Sequence, residues 1–456
     1  MIRPLEGPRG RTANVSTERE TRLTTADVVR TWWPLAASWM LMAFEGPVIN
    51  LVVARMADPK IHLAAYGSLV FPLALLFEAP IIMLLAASTA LCKDRSAYEK
   101  MHRFMHVTGA VLTAAHVLVA FTPLYGLVVR GLLGAPEAIV EPARIGLMVS
   151  VPWTWAIAYR RFHQGIMIRF GHSVAVGIGT GIRLLADATV LAVGYFFTSL
   201  PGTAIATSAL IGGVLSEATY VGLRVRPVMK EHLPPGPSTG ETLTTAAFLR
   251  FYVPLSLTSL IFLGVRPILT AAISRMPDPL ESLAAWPVIG GLAFLFRSAG
   301  VAYNEVVIAR LHLAGSLRIL RRFAWALASA TTLGMLLIAA TPLSRIWFGT
   351  ITGLSEDLVL FSQAAVWFAL LLPAIATMQS WFQGVVTHSG RTRWITEAVL
   401  VYLVVITAIL GGGIAWGRVS GIYVAFVAMT VADLARNAWL WWRSRGTRAA
   451  LAARDG

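Results

Sequence analysis

A single cysteine, Cys92, occurs in the whole sequence, so no intramolecular disulfide is expected. Its neighbours Lys93 and Asp94 do not complete a thiolate metal site. Charge is scarce too: Asp, Glu, Lys and Arg make up 13% of the 456 residues, against about 25% in ordinary soluble domains. HExxH, GxSxG and GxxxxGK[ST] motifs are missing, so neither an enzyme nor an ATP-driven engine is expected, and no cofactor is called for. Gly177 to Gly181 reads GIGTG inside an apolar run, without the strand and helix start of a dinucleotide site, and small-residue helix packing explains it better. His102 and His106 lie four residues apart with no third ligand nearby, so no metal is expected. An intramembrane enzyme would want an acidic partner at regular spacing from His116, His163 or His172, and none is evident.

What the sequence does have is apolar length. Hydrophobic residues are 56% of the chain and the mean hydropathy is +0.68, a composition that needs lipid as its solvent. Runs of about 20 residues, enough to cross a bilayer, fall near 31–54, 63–91, 104–129, 144–167, 174–198, 203–223, 251–274, 283–309, 323–344, 358–386, 394–416 and 420–442. Residues 1–28 are polar and hold Arg3, Arg9, Arg11, Arg19 and Arg22, so a cleavable secretory signal is not expected. Basic residues crowd alternate connections: the N-terminal tail, Lys93 to Arg103, Arg160 to Arg169, Arg224 to Arg250, Arg310 to Arg322, Arg391 with Arg393, and Arg443 to Arg454. The positive-inside rule then places both termini in the cytoplasm, with a bacterial inner membrane as the expected location. The net charge of +15 follows from this bias and calls for anionic lipid neighbours, not nucleic acid.

The chain repeats itself. ARMADP at 54–59 matches SRMPDP at 274–279, a separation of 220 that also aligns LAAY at 63–66 with LAAW at 283–286, Pro34 with Pro254 and Pro47 with Pro267. FHQG at 162–165 meets WFQG at 381–384 one residue out of that register. The expected fold is an all-α integral membrane protein of about twelve transmembrane helices, in two six-helix lobes related by a pseudo-two-fold along the membrane normal. The domain plan is a cytoplasmic tail (1–30), an N-lobe (31–230), a linker (231–245) within the polar stretch EHLPPGPSTGETLTT, a C-lobe (246–442) and a C-terminal tail (443–456). In the first helix of each lobe, Pro34, Pro47, Pro254 and Pro267 each remove a backbone hydrogen bond and favour a kink.

Charges inside spans are costly and mark candidate sites. They are Arg183, Arg266, Arg297 and Arg436, with Glu45, Glu78, Asp187, Glu217, Glu305, Asp433 and, near a helix start, Glu397. Arg183 with Asp187, and Asp433 with Arg436, are spaced to satisfy each other on one helix. Glu45, Arg266, Glu78 and Arg297 are the substrate or gate candidates, because the repeat puts opposite charges at near-equivalent places: Glu45 aligns with Val265 and Gly46 with Arg266, Glu78 with Ser298 and Phe77 with Arg297. Glu45 and Arg266 are expected to face each other across a central cavity. Arg266 lies between Gly264 and Pro267, where a thin helix and freed backbone groups let a guanidinium reach a ligand.

The two-lobe plan with a proline-bearing first helix in each lobe resembles the multidrug/oligosaccharidyl-lipid/polysaccharide exporter superfamily, which includes the MATE transporters. WWPL at 32–35, AAYG at 64–67, VPL at 253–255, RPI at 266–268, SR at 274–275 and SEATYVG at 216–222 are similar to the progressive ankylosis (ANK) family. Glu45 is only an approximate counterpart of that family's acidic first helix. The resemblance implies alternating-access export of small polyanions, of the citrate, pyrophosphate or nucleotide class; a monomer is expected. A MATE-like cation antiporter, with Glu45 or Glu78 carrying the coupling ion, and a lipid-linked saccharide flippase are the competing readings.

Overall fold

The computed structural model describes residues 23–233, 243–391 and 393–455. Most of the expected tail and linker lie outside these, although Thr25 to Arg30 already belong to the first helix. The described residues form twelve membrane-length passes. Ten helical segments are long and apolar enough to span a membrane by length and composition. The other two crossings are the fourth span, Glu137–Val149 with Val151–Arg169, and the twelfth, Gly421–Arg443. Interior charges lower their hydropathy: Arg160 and Arg161 in one, Asp433 and Arg436 in the other. An even number of crossings brings both ends to one face, termed here the terminal face; the opposite side is the far face.

Backbone details repeat along with the sequence. Asp58 and Asp278, each ahead of a proline that starts the second helix of its lobe, have φ of 48° and 52°, the sole positive values at non-glycine residues among the described ones. Aspartate tolerates this left-handed region better than most residues. After the third span of each lobe comes a short π-helix, Leu127–Leu132 and Ile346–Thr352. Gly67 touches its own repeat counterpart: a Cβ built there would lie 2.4 Å from Pro287 Cβ. A residue meeting its own counterpart sits on the two-fold axis, and only glycine leaves room for that approach.

The lobes exchange their first helices. Thr25–Ala43 packs against Pro279–Arg310 of the C-lobe, with Trp32 Nε1 donating to Ala299 O at 2.9 Å. The opening half of Thr245–Ile273 packs against the second span of the N-lobe, with Tyr252 donating to Pro80 O at 2.5 Å. Prolines alone do not set where these helices break. Pro34, Pro254 and Pro267 lie inside continuous helices, whereas the first span is interrupted at Phe44, next to Ala43, whose carbonyl Pro47 leaves without an amide partner.

The last span is followed by a helix, Arg445–Asp455, where a tail was expected. Arg454 donates to the carbonyls of Leu311, His312 and Leu313, and Asp455 accepts from the Leu317 amide at 2.9 Å. One Arg-Asp pair thereby caps both sides of the turn between the eighth and ninth spans.

Candidate functional site

The far face is shut by two arginines the repeat had already aligned. Arg55 Nη1 and Nη2 donate to the carbonyls of Thr352, Thr350 and Ile351, all at 2.8 Å. Arg275 donates to Leu133 at 2.9 Å, Leu132 at 2.7 Å and Gly131 at 3.3 Å. Each lobe's arginine thus caps the C-terminal carbonyls of the other lobe's π-helix, where the helix dipole is negative. Lys60 adds ion pairs to Glu281 at 3.2 Å and Asp357 at 2.7 Å.

Glu45 does not face Arg266. It pairs with Arg183 of the fifth span, whose Nε donates to Glu45 Oε1 at 3.1 Å. The expected pair of Arg183 with Asp187 is present as a looser contact of 4.0 Å, and both Asp187 oxygens are buried with no hydrogen-bond partner. The reason is reach: Glu45 comes from the interrupted first helix directly onto the guanidinium, while Asp187 sits one turn away on the same helix. Glu217 is ion-paired to Arg160 and accepts from Gln164 Nε2 at 2.8 Å. Reading Arg160 to Arg169 as loop charges was therefore wrong for Arg160 and Arg161. Both lie in the helix Val151–Arg169, and Arg161 is eight residues, about 12 Å of helix, inside its end. The Arg160 charge is tolerated there because a carboxylate meets it.

In the C-lobe the expected pair forms, with Arg436 Nη2 at 2.5 Å from Asp433 Oδ1. Arg436 also bonds Gln379 and stacks over Tyr402, 4.9 Å from the ring centroid.

Between the lobes lie Arg266, Arg297, Arg161 and Glu78. Arg266 stands over Phe71 of the N-lobe at 5.8 Å, so its guanidinium reaches across the lobe boundary, and its residue is exposed. Arg297 and Arg161 are half-buried, each with an unpartnered Nε. Among the described residues none of the three forms an ion pair. Glu78 is 3% exposed and close enough for its charge to act on both Arg161 and Arg266, while Arg297 acts on Arg266. Arg266 thus feels one guanidinium and one carboxylate, and Arg161 the same carboxylate, a set with excess positive charge and few acceptors in a low-dielectric setting. Such a set suits carboxylate and phosphate oxygens, which arginine binds as a fork.

Of the four sequence candidates, the structure brings Arg266, Arg297 and Glu78 together and assigns Glu45 to the N-lobe network. Arg161 was missed because it sits beside a pairing arginine in what reads as a basic connection; its distance from Arg169 along an uninterrupted helix pattern was the available signal.

The fold matches solved transporters. An inward-facing multidrug resistance MATE family transporter of the MOP superfamily superposes with a TM-score of 0.71 at 13% identity, covering 92% of this chain and 96% of that one. The Vibrio cholerae MATE transporter VcmN in a bent form gives 0.58 at 13% identity over 95% and 99% of the two chains. A MOP superfamily transporter from Pyrococcus furiosus, described as having a binding pocket of reverse polarity that suggests a different function, gives 0.54 at 15% identity over 95% and 98%. The model of the progressive ankylosis protein (ANKH) family matches residues 20–285. With more than half of its length matched by that model and the MATE-like two-lobe architecture along its whole course, the chain is a membrane transporter that belongs to the progressive ankylosis protein family.

Proposed function

We propose that this protein exports small organic or phosphate polyanions, of the citrate, pyrophosphate or nucleotide class, by alternating access, with Arg266, Arg297 and Arg161 as the anion site. The observation that carries this reading is the unpaired state of the three guanidiniums between the lobes, against the paired state of Arg160, Arg183 and Arg436. Glu78 keeps the cluster from holding an anion permanently, because like charge weakens binding as the lobes move. The crowding of basic residues at the terminal face supports a cytoplasmic location for it, in a bacterial inner membrane. With the far face clamped, the site then opens inward. An inside-negative potential favours exit by about 2.3 kcal/mol per charge per 100 mV, so a trivalent anion gains roughly 7 kcal/mol without a coupling ion. The chain is taken to act as a monomer. Counterflow in liposomes tests the reading: labelled citrate or pyrophosphate should exchange and respond to an imposed potential, and saturable uptake of a lipophilic cation with no anion flux would overturn it.

A second reading has its own observation. Asp187 has two unpartnered oxygens beside Glu45, an arrangement in which neighbouring carboxylates share a proton. Proton-coupled transport would use this N-lobe pair, and a dependence of flux on a pH gradient, lost in Asp187→Asn, distinguishes it.

A further inference from the structure

Among the described residues the C-terminal helix Arg445–Asp455 has no separate counterpart in the N-lobe, and it does more than extend the last span. With the ninth and tenth spans it encloses a cleft of about 250 Å³ on the terminal face, lined by Arg321, Arg445, Arg448, Leu317 and the buried Trp381. Three arginines from two helices line it, the exposed Arg321 and Arg445, the latter 5.6 Å over Trp442, and the half-buried Arg448. Arg448 uses part of its donor set on Ser444 Oγ at 3.2 Å and Trp441 O at 2.8 Å and stacks between Phe382 and Trp441, each at 5.6 Å. Arg321 and Arg445 have no hydrogen-bond partner among the described residues, and no acid there pairs with any of the three. The nearest acid of the helix, Asp455, is taken by the Leu317 amide and Arg454. Burial, and then the like charge of Arg321, hold the Arg448 guanidinium below its usual range.

Like charges gather in this way at a cost that a bound anion removes. The helix is held in place from its far end by Arg454 and Asp455, so the cleft is a built concavity and not a loose tail over a basic surface. A belt of Trp394, Trp439 and Trp442 around Arg443 lies beside it, the side chains that mark headgroup depth in a bilayer.

We propose that this cleft binds a phosphate group, supplied by an anionic lipid headgroup of the surrounding leaflet. Its guanidiniums take the phosphate oxygens while Leu317 and Trp381 face the glycerol end. The cleft is separate from the central arginines, so the proposal does not depend on what the protein transports.

The test uses the full chain in detergent micelles, following thermal unfolding as phosphatidylglycerol, phosphatidylcholine or inorganic phosphate is added. Two double variants remove the same charge from the same face: Arg321→Gln with Arg445→Gln in the cleft, and Arg318→Gln with Arg322→Gln, whose side chains are exposed outside it. Phosphatidylglycerol should stabilise the parent and the outer variant, with affinity for the cleft variant falling at least about tenfold as two charge-assisted contacts are lost; phosphatidylcholine should do little. If inorganic phosphate alone reproduces the cleft-dependent shift and the lipid does not, the phosphate site stands and the lipid source is overturned. Equal losses in the two double variants, or an undiminished lipid shift in the cleft variant, would show diffuse surface charge and sink the site.

Discussion

The two lobes share their turns and the ends of their helices and exchange their buried charges. Asp58 and Asp278 adopt one conformation, the two π-helices follow the third spans, and Arg55 and Arg275 make the same clamp in opposite directions. Inside, the chemistry differs. Where the N-lobe has Arg160 against Glu217, the equivalent positions are Gln379 against Arg436. Where the N-lobe has Arg183 on Glu45, the C-lobe has Tyr402 under Arg436, and Val265 in place of Glu45. The first and second spans are interrupted near Glu45 and just after Glu78, while Thr245–Ile273 and Pro279–Arg310 run unbroken. Turns and helix caps are tied to backbone geometry and resist change. A buried polar cluster needs only internal satisfaction, so its members trade places.

The largest effect should come from the arginines that the comparison leaves unpaired. Arg266→Ala should lower anion flux at least about a hundredfold while leaving the fold intact, since only ligand contacts are lost. Arg266→Lys should keep the charge and recover little of the flux. Flux in liposomes beside thermal unfolding checks both, and normal flux in Arg266→Ala removes it from the site.

The paired arginines should behave in the opposite manner. Arg160→Gln leaves Glu217 only Gln164 and the more distant Arg183 and should destabilise the N-lobe by about 3 kcal/mol, and Arg160→Gln with Glu217→Gln should be milder than the single change. Denaturation measured on the three proteins decides this; a harmless single variant would mean that the N-lobe network carries no structural load.

Symmetry predicts equal outcomes at the far face. Arg55→Ala and Arg275→Ala should each shift the population toward an open far face to a similar degree, and the double variant further. Distances between spin labels at Arg130→Cys and Arg345→Cys, in a Cys92→Ser background, should lengthen in both. A response to one arginine only would show that the clamp is functionally one-sided.

The smallest effect concerns the C-terminal helix Arg445–Asp455. Burial alone would raise the Asp455 carboxyl, but the Leu317 amide and Arg454 hold it below the usual carboxylate value. A depressed value means that its contribution is present at neutral pH and lost as pH falls through the folded-state value. A spin label at Ala452→Cys should therefore become mobile under strong acid and stay ordered near neutrality.

Much of this was legible in the residues themselves. The repeat of ARMADP and SRMPDP located the clamp arginines, and the apolar runs located the crossings, because both depend on short-range sequence and on lipid thickness. The Asp433–Arg436 pair was readable from its spacing on one helix. Glu45 was misplaced since its partner Arg183 is distant in the chain and is reached by helix packing alone. Arg160 and Arg161 were misread as loop charges because a basic pair near a span's end looks like the positive-inside signal until its depth is known. Sequence alone determined that this chain lives in lipid as two related halves, since hydropathy and repetition are properties of order along the chain. Only the tertiary structure decided which charges within the spans are ion-paired, because pairing is a matter of distance between helices, and among the described residues Arg266, Arg297 and Arg161 have no such pair while Arg160 and Arg183 do.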